Sequence, residues 1–130
     1  MLLPAARIAI VDDEESVRKA LGRLLRAAGF AVEVHASGAE FLRTLQQQRP
    51  QCVLLDLRMP HVSGLDVLRA LQQADAHVPA VIITGDDSPE TRAQATAHGA
   101  WATLRKPVDD AMLLDAIDTA LRASAARVGG

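Results

Sequence analysis

The sequence predicts an α/β protein: a five-stranded parallel sheet in the order 2-1-3-4-5, held between two layers of helices. Three observations carry that reading. Strand and helix signals alternate five times along 130 residues. Three strand-like segments are continuous apolar runs, as expected for parallel strands covered on both faces. The other two alternate apolar and polar residues, which marks a less buried face and suits the sheet edges.

Arg7-Ile8-Ala9-Ile10-Val11 is the first run and stops at Asp12-Asp13. A helix follows on the stripe Val17, Leu21, Leu24, Leu25 and Ala28, with Gly29 as its C-terminal stop. Ala31-Val32-Glu33-Val34-His35 alternates and is the second strand. Ser37-Gly38-Ala39-Glu40 reads as a capping box ahead of Phe41, Leu42 and Leu45. The run Cys52-Val53-Leu54-Leu55 ends at Asp56, and Ser63-Gly64-Leu65-Asp66 then repeats the capping logic before Leu68 and Leu71. Ala80-Val81-Ile82-Ile83 ends at Thr84, and Ser88-Pro89 opens the fourth helix with an N-cap and a first-turn proline. From Thr91 to His98 that helix offers mainly Ala93, Ala95 and Ala97, which favour helix but bury little area. It is either a polar surface helix or a segment that moves when the site changes state. Trp101 to Arg105 alternates, as the fifth strand, and stops at Lys106-Pro107; Leu114, Ile117 and Leu121 give the last helix its buried face. The order 2-1-3-4-5 puts both alternating strands at the edges, which favours a flavodoxin-like (βα)5 three-layer sandwich over other doubly wound folds.

Bulk properties bound the function. The length fits one domain, residues 1–130, and 49% hydrophobic residues suit a globular core. Fourteen basic and sixteen acidic residues give a net charge of −2 without a Lys/Arg cluster, so the chain itself carries no nucleic-acid footprint. Cys52 is the only cysteine, which excludes an intrachain disulfide and a thiolate metal cluster. Neither a signal peptide nor an apolar run of bilayer-spanning length appears, so a soluble, cytoplasmic protein without membrane attachment is expected. Gly129-Gly130 looks like the beginning of a linker or a truncation.

Four of the runs stop at reactive residues. Parallel strands place those ends on one edge of the sheet, where open α/β folds bind ligands. Asp12, Asp13 and Asp56 then meet Thr84 and Lys106 in one crevice. Three close carboxylates repel one another, and a hard divalent cation such as Mg2+ relieves the repulsion with oxygen ligands. A carboxylate can also attack phosphorus, provided that an ammonium and a hydroxyl stabilise the phosphoryl charge. Taken singly, an Asp-Asp pair is a solvated loop, Thr84 a strand residue and Lys106 a surface charge. Their shared position at strand ends favours the joint reading.

Asp12-Asp13, the stretch Leu55-Asp56-Leu57-Arg58-Met59-Pro60 with Ser63-Gly64, Thr84-Gly85, Gly99-Ala100 and Lys106-Pro107 resemble the receiver domain of two-component response regulators, most nearly its FixJ-like subgroup. The match covers about residues 6–123. The resemblance implies that Asp56 is the phosphoacceptor. It implies that Asp13, Asp56 and the backbone carbonyl of Arg58 ligate Mg2+, with Asp12 acting partly through water. Thr84 and Lys106 would contact the phosphoryl group, and the peptide before Pro107 would be cis. The donor would be a histidine kinase or phosphotransfer protein, and output would run through the fourth helix, fifth strand and fifth helix, which can also form a homodimer. No enzymatic turnover beyond self-catalysed transfer and dephosphorylation is implied. Arg58 and Asp86 would flank the phosphoryl group and modulate hydrolysis as an ion pair.

The chain departs from the family at Thr103, where a Phe or Tyr usually serves as the switch. Trp101, two residues earlier, either replaces that ring or packs against the fourth helix, and packing is the expectation. Two alternatives compete. A pseudo-receiver would signal without phosphate, which Thr103 favours and the intact acids oppose. An aspartate-nucleophile phosphohydrolase would want a second acid where Arg58 stands, and a substrate cap for which the length leaves no room.

Overall fold

The computed structural model describes residues 5–74, 76–86 and 88–129; Met1 to Pro4 and Gly130 lie outside them. Strands β1 (Arg7–Val11), β2 (Ala31–His35), β3 (Cys52–Asp56), β4 (Ala80–Thr84) and β5 (Ala102–Arg105) are all parallel, in the order β2-β1-β3-β4-β5. This is the predicted sheet, and the two alternating segments are its edges.

Alternate residues of the inner strands feed two cores. Ile8, Ile10, Cys52, Leu54, Val81 and Ile83 pack under α1 (Glu15–Ala27) and α5 (Asp110–Gly129). Ala9, Val11, Val53, Leu55 and Ile82 pack under α2 (Gly38–Leu45), α3 (Gly64–Gln73) and α4 (Pro89–Ala97). Helix α1 ends as predicted: Gly29 has φ 95°, its N–H donates to Arg26 O, and Phe30 N–H donates to Leu25 O. No helix among the described residues is long and apolar enough to cross a membrane.

Several details differ from the sequence reading. The capping box at Ser63 is complete, but at Ser37 only the serine half forms. Glu40 lies instead 3.4 Å from the imidazole of His35. Val34 is exposed while His35 is buried edge-on to Phe41, because the β2 side chains that face α2 are the odd-numbered ones. The buried face of α5 centres on Leu113, Ala116, Ile117 and Ala120, with Leu114 and Leu121 at its margin. Of the three α4 alanines only Ala95 is buried, so this helix has little holding it to the core.

Candidate functional site

The C-terminal ends of β1, β3, β4 and β5 bring the predicted residues together. Asp12, Asp13 and Asp56 each offer a carboxylate oxygen within 4.8 Å of the others, so the cluster can hold a metal ion. Asp12 and Asp56 are only 2% and 6% exposed, whereas Asp13 faces solvent. All the donors are hard oxygens, and neither His nor Cys joins them, which suits Mg2+ or Ca2+ better than a thiophilic ion.

Asp12 is held on every side. Its Oδ1 accepts the Glu14 N–H at 2.9 Å, and its Oδ2 accepts the Lys106 ammonium at 3.1 Å. Its main-chain N–H donates to His35 O, which extends the β1–β2 pairing by one residue. Asp56 is tied less firmly: Oδ1 accepts the Arg58 N–H at 3.3 Å and lies 3.7 Å from Lys106 Nζ. Burial, then the Asp12 charge, pushes the Asp56 carboxyl up to about 6, although Lys106 and the Arg58 N–H act against the rise. Burial disfavours the Lys106 ammonium, yet the hydrogen bond to Asp12 and the charges of Asp56, Asp12 and Glu14 outweigh it and raise its pKa. Two buried acids therefore face one ammonium, with a negative charge in excess, as a cation site requires.

Thr84 is fully buried, and its Oγ1 accepts the Asp86 N–H at 3.1 Å. The Asp86 carboxylate accepts from Arg58 Nη2 at 2.8 Å, Thr91 Oγ1 at 2.9 Å and the Ser88 N–H at 3.1 Å. Hydrogen bonds from Thr91, Ser88 and Arg58 hold its pKa down at about 2. The Lys106–Pro107 peptide is cis. Gly64 lies so close to the Asp56 loop that a Cβ there would meet Asp56 O at 2.5 Å and Leu57 Cα at 2.7 Å. Only glycine lets α3 start this near the main chain that follows β3.

Thr103 faces the α4 side, since Ala102 and Leu104 pack with the α1–α5 core. Trp101 precedes β5, is 45% exposed, and donates its indole N–H to Thr119 Oγ1 at 3.3 Å. Its polar anchor is thus on α5.

Sequence reasoning missed Arg18, Glu14 and Thr91. Arg18 Nη1 donates to Asp12 O at 2.8 Å, and Glu14 places Oε1 3.9 Å from Lys106 Nζ. Helix phase places Arg18 on the first turn of α1 but does not show which way its side chain bends. Thr91 gave no signal beyond its place beside the Ser88 cap.

Residues 8–118 match the family described as response regulator receiver domain. The chain is 39% identical over 111 residues to the transcriptional regulatory protein FixJ of Rhizobium meliloti (strain 1021), covering 85% of this chain and 54% of that protein. It is 36% identical over 118 residues to the response regulator protein TodT of Pseudomonas putida, covering 91% and 52%. The chain spans about half the length of these relatives. Among solved structures, FixJ-N is similar with a TM-score of 0.85 and 36% identity, over 92% of this chain and 96% of that one. Vibrio cholerae chemotaxis protein CheY4 is similar with a TM-score of 0.84 and 31% identity, over 90% and 99%.

Proposed function

Because the chain belongs to the response regulator receiver domain family, with FixJ-like relatives, we propose that it accepts a phosphoryl group on Asp56 from a histidine kinase or phosphotransfer protein. The observation that carries this reading is a buried, underneutralised carboxylate at the end of β3, beside two more acids and an ammonium. Asp56 Oδ1 is engaged, which leaves Oδ2 as the oxygen that forms the P–O bond while the donor's P–N bond breaks. Mg2+, when bound by Asp13, Asp56 and the Arg58 carbonyl with Asp12 behind them, supplies charge neutralisation for the incoming phosphoryl oxygens. Lys106 can pass from Asp12 to the phosphoryl group, and Thr84 can donate its hydroxyl proton while it still accepts from Asp86. Turnover is confined to this transfer and to hydrolysis of the aspartyl phosphate.

The signal is read at α4, β5 and α5, a face that also serves a homodimer. With Thr103 in the switch position, the route is polar: Thr84 to Asp86, then through its carboxylate to Ser88 and Thr91 at the start of α4. One buried alanine holds α4, so a small change there is enough to shift it. The Arg58–Asp86 pair covers the site and slows hydrolysis. The pair is exposed and solvent-screened, so Arg58→Ala should shorten the phosphoryl half-life only modestly, by up to about fivefold. An unchanged half-life removes that role. Nucleic-acid and membrane contacts form no part of this chain's own function.

The test of the main reading is stoichiometry. With Mg2+, acetyl phosphate should load one phosphoryl per chain and then plateau, whereas p-nitrophenyl phosphate should not turn over. Continuous release of p-nitrophenol would support a phosphohydrolase, and no loading at all would support the phosphate-independent reading.

A further inference from the structure

Resting on the reading of Asp12, Asp13 and Asp56 as a Mg2+ site, we propose that Arg18 is a positioning residue for it, acting through the Asp12–Asp13 peptide. Arg18 is half-buried on the first turn of α1, where its own N–H donates to Glu14 O. Its guanidinium reaches back and donates from Nη1 to the main-chain oxygen of Asp12 at 2.8 Å. That oxygen belongs to the planar peptide joining Asp12 to Asp13, so holding it sets the direction in which the Asp13 side chain departs.

The two aspartates differ in how much they need this. Asp12 has its carboxylate fixed by Glu14 N–H and Lys106. Asp13 is exposed, and no hydrogen bond or ion pair with another described residue holds its carboxylate, yet it stands within 4.8 Å of the other two acids. Its placement is a property of the backbone, and Arg18 anchors that backbone to a helix packed on the sheet. Supporting contacts of this kind are what keep first ligands in register.

The idea is separable from plain electrostatics because the two predict opposite signs. A guanidinium beside a cation site repels the cation, so losing its charge alone should tighten Mg2+ binding. Loss of an outer contact that orients a ligand instead weakens metal affinity, by about 10–100-fold.

Calorimetric titration of Mg2+ into the full chain distinguishes them. Arg18→Met should bind Mg2+ at least about tenfold more weakly than wild type, with a metal-free Tm close to it, since methionine keeps the length of the apolar stem. Arg18→Lys, which keeps a donor and the charge on a long stem, should recover affinity to within roughly threefold. Arg18→Gln, a second variant with a neutral donor on a shorter stem, should fall on the weak side. Equal or tighter binding in the Met and Gln variants overturns the proposal. A wild-type chain that takes up no Mg2+ overturns the metal reading on which it rests.

Discussion

Replacing Asp56 by asparagine should stabilise the metal-free protein at neutral pH. The carboxyl titrates at about 6 in the folded chain against an ordinary 3.8, chiefly because it is buried. At about 1.4 kcal/mol per unit, ionising it in place costs the fold roughly 3 kcal/mol once the pH is well above 6. Between these two values the folded state binds the proton more tightly than the unfolded state. Wild-type stability therefore falls as pH rises from about 4 to 7 and is free of the penalty below 4. Asparagine keeps the shape and the acceptor for the Arg58 N–H but carries no charge. Urea unfolding in EDTA, followed by circular dichroism, should show Asp56→Asn more stable by about 2–3 kcal/mol at pH 7.5, with the gap closing near pH 4. Saturating Mg2+ should recover most of the difference in wild type, because it binds the folded acids only. A variant equal to or weaker than wild type at pH 7.5 without metal would refute the account of Asp56 as an underneutralised buried charge.

Other perturbations follow from the same geometry. Lys106→Met removes the cation 3.1 Å from Asp12 and 3.7 Å from Asp56, so Asp56 should titrate above its present value of about 6 in a carbon-13 NMR pH series; a fall would contradict it. Gly64→Ala forces a methyl against Asp56 O and Leu57 Cα, both backbone, and should cost about 1–3 kcal/mol in urea; a neutral result would mean that α3 shifts freely. His61 has φ 66°, so His61→Gly should add up to about 1 kcal/mol; a loss of stability would show the imidazole to be doing something the backbone conformation does not reveal.

Apolar runs and their terminal residues were enough to read the sheet order and to gather Asp12, Asp13, Asp56, Thr84 and Lys106, because continuous runs mark the inner strands, alternating ones mark the edges, and each strand's end is marked by a change in chemistry. What escaped depends on side-chain direction. Arg18 and Thr91 reach their partners from the first turns of helices, and helix phase alone does not show which way a long or short polar side chain bends. Polarity alone does not give the faces of β2: Val34 is exposed, whereas His35 is buried beside Phe41 and two glutamates. Trp101 was assigned by strand alternation although it stands one residue before β5.

Whether Asp56 takes a phosphoryl group covalently is measured most directly by intact mass after incubation with acetyl phosphate. Wild type with Mg2+ should gain about 80 Da, one phosphoryl unit, and neither wild type in EDTA nor Asp56→Asn with Mg2+ should gain it. A wild-type chain that stays at its starting mass, or an asparagine variant that gains the same increment, would contradict the account.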